Sequence, residues 1–182
     1  DIYGTLLISG TGDISLAGKQ KENSGISGIL SRTGFRVNTT GNPGERVPVL
    51  MDRIIRRTHE EMKAAGADYP VVEIRDVWKE LLDTLGGEGF FENESATDPV
   101  GGDFRKRLEN LAILHELSVN PVWPMPGFPE AVTRLKADGM RTGIVSNAQF
   151  YTPIILEALT GETLAGIGFE EELCSWSFRV AR

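Results

Sequence analysis

The chain has 182 residues, enough for one good-sized core or a core with a smaller module. Its 40% hydrophobic and 25% charged residues are ordinary for a soluble globular protein. A net charge of −7, with no basic patch or tail, argues against nucleic acid and anionic membranes as partners.

Cys174 is the single cysteine, which excludes an internal disulfide and points to a reducing, cytoplasmic compartment. No stretch approaches a membrane span, and no signal peptide is visible. The chain opens on Asp1 rather than Met, so an upstream segment is expected in the natural protein.

The first stretch, Asp1-Ile2-Tyr3-Gly4-Thr5-Leu6-Leu7, reads as a strand tip handing over to a loop. In open α/β sheets ligands bind beyond the carboxyl ends of strands, and a carboxylate there can act as a nucleophile. Gly4 lets the backbone turn sharply, and Thr5 offers a hydroxyl and an N–H to an anionic group. On five residues alone, a glycine turn after an edge strand is the better account of the pattern.

Residues 8–28 are rich in Gly, Ser and charge. Ser9 to Asp13 reads as a loop, and Gly18 to Gly25 as a polar linker or turn. The glycines at 10 and 12 lack the Gly-Lys-Ser/Thr ending of a phosphate-binding P-loop.

Helical periodicity then takes over. Ile26, Ile29 and Leu30 share one face of a short helix that Gly34 ends. Pro48 suits the first turn of a second helix carrying Leu50, Met51, Ile54, Ile55 and Met62, with Lys63 and Gly66 at its end. The clearest stripe is Ile74, Val77, Trp78, Leu81, Leu82 and Leu85, closed by Gly86. A fourth helix is expected from about Asp103 to Leu117, with Phe104, Leu108, Leu111 and Leu114 or His115 inward. No strand pattern lies between Gly25 and Asn120, and Ser95 to Pro99 reads as loop. His115 reads as a structural histidine, while Arg53, Arg56, Arg57 and Arg105, Lys106, Arg107 read as solvated helix faces.

Asn120 to Gly127 is a proline-rich return linker, stiff enough for a hinge. A helix over 126–138 follows, with Val132 and Leu135 one turn apart and Gly139 as its stop. Gly143 to Asn147 is an apolar strand ending in a hydroxyl and an amide. Thr152-Pro153 then offers a cap and a first-turn proline for a helix stopped by Gly161. Glu170 to Glu172 reads as a solvated run and Leu173 to Phe178 as a core strand.

The order of nucleophile tip, long helical insert, Pro-Gly helix, strand and Ser-Asn resembles the haloacid dehalogenase-like (HAD) hydrolase superfamily. Asp1-x-Tyr3-Gly4-Thr5 looks like that family's first motif, and Val145-Ser146-Asn147 like its second. The resemblance covers about the first dozen residues and the chain from Trp123 onward. It implies an α/β fold: a Rossmann-like three-layer core with a parallel sheet over 1–16 and 122–182, and an inserted α-helical cap over 17–121. The family's lysine and its later acidic pair do not occur within these residues, although Arg179 and Arg182 are cations near the first of those places. A longer natural chain is therefore expected at this end too.

The resemblance also implies roles. Asp1 is the expected nucleophile, forming a covalent aspartyl intermediate, while Tyr3, Thr5, Ser146 and Asn147 line its pocket and hold a small anionic substrate. HAD phosphatases place a general-acid aspartate two positions after the nucleophile, where this chain has Tyr3. A halide leaves without a proton, so Tyr3 matches the 2-haloacid dehalogenase branch, which implies no cofactor. One alternative is a phosphohydrolase holding Mg2+ on Asp1 and the Tyr3 carbonyl. The other is a binding protein that keeps the fold without the chemistry.

Overall fold

A computed structural model describes residues 1–10, 25–38, 42–91, 102–169 and 171–174. The polar linker at 18–25 (up to residue 24), the loop at 95–99, the domain boundary at 16/17, the strand beyond Cys174, and Arg179 and Arg182 lie outside the described residues. The chain divides into two compact units. One comprises Asp1–Leu16, Asp68–Val71 and Asn120–Arg182, and the other Ala17–Ala67 and Val72–Val119.

The second unit is helical among its described residues. Helix α1 (Ile26–Arg32) buries Ile26, Ile29 and Leu30, the three residues whose spacing predicts it. It ends in paired bonds from Phe35 N to Leu30 O and from Gly34 N to Ser31 O, with Gly34 at φ +85°. That geometry is the usual helix stop built on a left-handed glycine.

Helix α2 (Pro43–Ala64) begins five residues earlier than expected, because Pro43 rather than Pro48 occupies its first turn. Pro48 sits inside the helix and leaves one internal bond unmade. Helix α3 (Ile74–Gly87) buries Val77, Trp78, Leu81, Leu82 and Leu85. Its N-terminus is capped by the Glu73 carboxylate, which accepts from Arg75 N at 3.0 Å.

Helix α4 (Gly102–Val119) buries Phe104, Leu108, Leu111 and Ala112. Helices α1 and α3 each pack against both α2 and α4. Burying a leucine or phenylalanine side chain contributes about 1.5–3 kcal/mol, so these apolar faces carry the unit's stability. An isolated antiparallel bridge, Val37 to Phe91, is the extended pairing among its described residues.

The first unit departs from expectation. Strand β1 (Leu7–Ser9) pairs antiparallel with β2 (Val122–Pro124), which lies inside the stretch read as a return linker. Helix α5 (Phe128–Ala137) buries Phe128 and Val132, four apart, and leaves Leu135 exposed. Strand β3 (Gly143–Ser146) pairs parallel with β4 (Glu171–Cys174), so the backbone of Glu171 and Glu172 is part of a strand. Between these strands come helix α6 (Tyr151–Thr160), stopped by Gly161 at φ +78°, and the single turn α7 (Leu164–Ile167), too short for helical periodicity to disclose.

The Rossmann-like three-layer core with a parallel sheet is therefore not found. Among the described residues the strands form two separate two-stranded ladders, one antiparallel and one parallel. Two local causes are visible. The apolar start of the chain folds on itself: Ile2 O accepts from the amides of Thr5, Leu6 and Leu7, so those donors are not offered to a neighbouring strand. Strand β3 buries Ile144 but leaves Val145 40% exposed, whereas a central strand of a three-layer core buries both faces.

The core of this unit gathers Ile2, Leu6, Leu7, Phe128, Val132, Ile144, Leu156 and Leu164, with Tyr3 and Met125 packed against it. No described helix is long and apolar enough to cross a membrane.

Candidate functional site

The chain's first residues are held in a tight loop rather than at a strand tip. Gly4 N donates to Leu7 O at 2.8 Å, and Gly4 takes φ +80°, a conformation that a residue with a Cβ rarely adopts. The turn fixes Asp1 through its neighbour, because Ile2 is wholly buried and its amide donates to Asp1 Oδ1 at 2.9 Å.

Strand β3 brings the second residue of the site. Its alternation buries Ile144 and Ser146 on the same side, and Ser146 is completely covered. The Ser146 hydroxyl donates to Asp1 Oδ1 at 2.6 Å across 145 positions of sequence. Ile2 N also reaches Ser146 Oγ, at 3.3 Å. Asp1 Oδ1 thus accepts two hydrogen bonds, and the carboxylate is oriented while the residue stays exposed. Hydrogen bonds to an ionised carboxylate are short and strong, in keeping with the 2.6 Å separation from Ser146.

Tyr3 is half-buried, and its phenol lies 3.1 Å from Thr152 Oγ1 in the first turn of α6. Thr152 is fully buried, although its sequence suggests only a helix cap. No signal in the sequence links the two, since a threonine before a proline ordinarily marks a helix start. The observed N-cap of α6 is Phe150, without a side-chain bond.

The remaining expected residues fare differently. Thr5 is exposed and its amide is engaged by Ile2 O at 3.2 Å, so that N–H serves the turn rather than an anion. Asn147 follows Ser146 and is exposed. Helix α6 begins at Tyr151, so Ser146 and Asn147 do not cap it. Hydrogen bonds join Asp1 to Ser146, and separately Tyr3 to Thr152. Among the described residues, no group of three or more His, Cys, Asp or Glu could hold a metal ion.

Side chains outside this site have structural explanations. Arg56 pairs with Asp52, and Arg57 with Glu61 and Glu80, on an exposed face. Arg107 is not simply solvated: it donates to the carbonyls of Thr33 and Gly34, and its guanidinium lies 4.4 Å from the Phe35 ring centroid. His115 packs edge-on against Trp78 at 5.1 Å, and burial pushes its imidazole down to about 4. No protein-family model matches this chain, and a comparison with curated proteins finds no match either.

Proposed function

We propose that this protein is a hydrolase in which Asp1 forms a covalent ester with a small acid, most simply a 2-haloacid. The 2.6 Å hydrogen bond between Ser146 and Asp1 carries this reading, because it joins the two motifs that resemble those of HAD hydrolases. An exposed carboxylate oriented by two donors suits attack on carbon.

In the first step a carboxylate oxygen bonds to the carbon bearing the halogen, and halide leaves with the bonding pair. Water then adds to the ester carbonyl of Asp1. The C–O bond within the aspartyl ester breaks, the hydroxy acid departs, and a proton is lost to solvent. Neither step asks Tyr3 to supply a proton. Ser146 and Ile2 N stabilise negative charge on Asp1 before attack and after hydrolysis. A reducing, cytoplasmic setting belongs to the same proposal and follows from the single cysteine.

The test is a screen of 2-haloacids beside phosphate esters, each with and without EDTA. Halide release that persists in EDTA is expected. Phosphate release that requires Mg2+, with no halide, would replace this reading by phosphoryl transfer on Asp1.

A further inference from the structure

We propose that a cleft beside α5 and the turn α7 binds a small zwitterion, a molecule with one carboxylate and one ammonium group such as a free α-amino acid. The cleft shares no residue with the site at Asp1, and the inference stands independently of the hydrolase reading.

The cleft has a volume of about 290 Å3, at the lower end of the range for small-molecule pockets. Helix α5 contributes Pro129, Thr133 and Lys136 to its lining, and the stretch from the end of α6 through α7 contributes Thr160, Glu162 and Ile167. This frame is held in place by its own bonds. Thr163 Oγ1 accepts from Gly166 N at 3.1 Å, and Phe169 N donates to Leu164 O at 3.0 Å, which closes α7 at both ends. Leu164 is buried in one core with Phe128 and Val132 of α5, so the two elements are packed together.

Charge decides what fits. Lys136 and Glu162 both line the cleft, yet among the described residues neither side chain makes an ion pair or a hydrogen bond. Arg134, on the same helix, does find a partner, Asp138 at 3.2 Å. Two glycines bring the opposite charges onto one turn. A Cβ on Gly166 would lie 3.1 Å from Glu162 Oε2, and one on Gly168 would lie 3.3 Å from Lys136 Cδ.

The hydroxyls add polarity of one kind. Thr133 Oγ1 donates to Pro129 O and Thr160 Oγ1 to Leu156 O, both at 2.9 Å. Each has spent its only proton and offers a ligand lone pairs alone, which suits an ammonium group. A simple anion would be opposed by Glu162 and a simple cation by Lys136, whereas a zwitterion satisfies both. Pro129 and Ile167 supply apolar wall for a short side chain.

The experiment titrates nitrogen-15-labelled protein with glycine, L-alanine, L-serine and L-proline, and separately with propionate and propylamine. At least one amino acid should cause saturable shifts of the Lys136, Gly166 and Ile167 amides. Propionate and propylamine should bind at least about tenfold more weakly, since each forgoes one hydrogen bond to a charged group. Lys136→Met and Glu162→Gln should each weaken amino-acid binding about 10- to 100-fold. Both side chains are exposed, so the variants should keep the wild-type spectrum outside the cleft.

Failure of all four amino acids to bind would overturn the proposal. Shifts confined to other residues, or binding that survives either substitution, would overturn it too. Equal binding of propionate would reduce the cleft to an anion contact on Lys136, and equal binding of propylamine to a cation contact on Glu162. Either result contradicts a zwitterion site.

Discussion

Ser146 Oγ donates to Asp1 Oδ1 at 2.6 Å, tying the end of β3 to the first residue of the chain. Ser146 is wholly buried and Asp1 exposed, so the bond holds a solvent-facing carboxylate from beneath. Hydrogen bonds to charged groups contribute about 1.5–3 kcal/mol. Ser146→Ala should therefore lower kcat/KM roughly 10- to 100-fold on any substrate that Asp1 attacks. The change in melting temperature should be small beside it, since the Ile2 amide still binds Oδ1. Equal turnover with lowered stability would leave Ser146 a purely structural residue.

Acid stability should report on His115. Burial pushes its imidazole from the ordinary 6.5 down to about 4. The unfolded chain takes up this proton near pH 6.5, the folded protein only near pH 4. Stability is thus fully present above pH 6.5 and falls as the pH drops through that window, by up to about 3 kcal/mol. Urea denaturation of wild type and His115→Phe between pH 5 and 8 checks this. The variant should show the flatter profile, and parallel profiles would mean that His115 titrates alike in both states.

Two glycines of like backbone conformation should respond differently to alanine. Gly4 and Gly34 have φ of +80° and +85°, so a Cβ strains either one, at about 1–2 kcal/mol. A Cβ on Gly4 meets nothing within 4 Å, whereas on Gly34 it would lie 2.9 Å from Arg107 Nε. Arg107 is itself anchored to two carbonyls and to the Phe35 ring. Gly34→Ala should consequently destabilise more than Gly4→Ala. Thermal melts of the two variants decide it, and the reverse order would show that Arg107 moves aside readily.

How far the sequence foretold the molecule depends on whether order is periodic or local. The stripe from Val77 to Leu85 is one-sided at helical spacing, and those residues are buried. Ile26, Ile29 and Leu30 behave the same way. The parallel-sheet core failed because apolar runs do not disclose where their backbone donors go. Ile2, Leu6 and Leu7 read as strand, yet three amides converge on the Ile2 carbonyl. Pro48 misled for a similar reason, since only the presence of Pro43 upstream moves the helix start.

The site was legible where a residue's chemistry is carried by its own type, as in Asp1 and Ser146. Thr152 was not, because a hydroxyl in a first turn has several plausible partners, and sequence does not reveal which comes within 3.1 Å. Thr5 shows the converse: its side-chain type fits anion binding, but its amide is consumed by the turn.

The central claim is that Asp1 itself forms the bond to substrate, and oxygen labelling tests it most directly. A single turnover of 2-chloropropionate by excess protein in water enriched with oxygen-18 should place the heavy oxygen in the Asp1 carboxylate. The released hydroxy acid should carry the original aspartate oxygen. Heavy oxygen in the product, with none in the peptide containing Asp1, would mean that water attacks the substrate directly and would contradict the account.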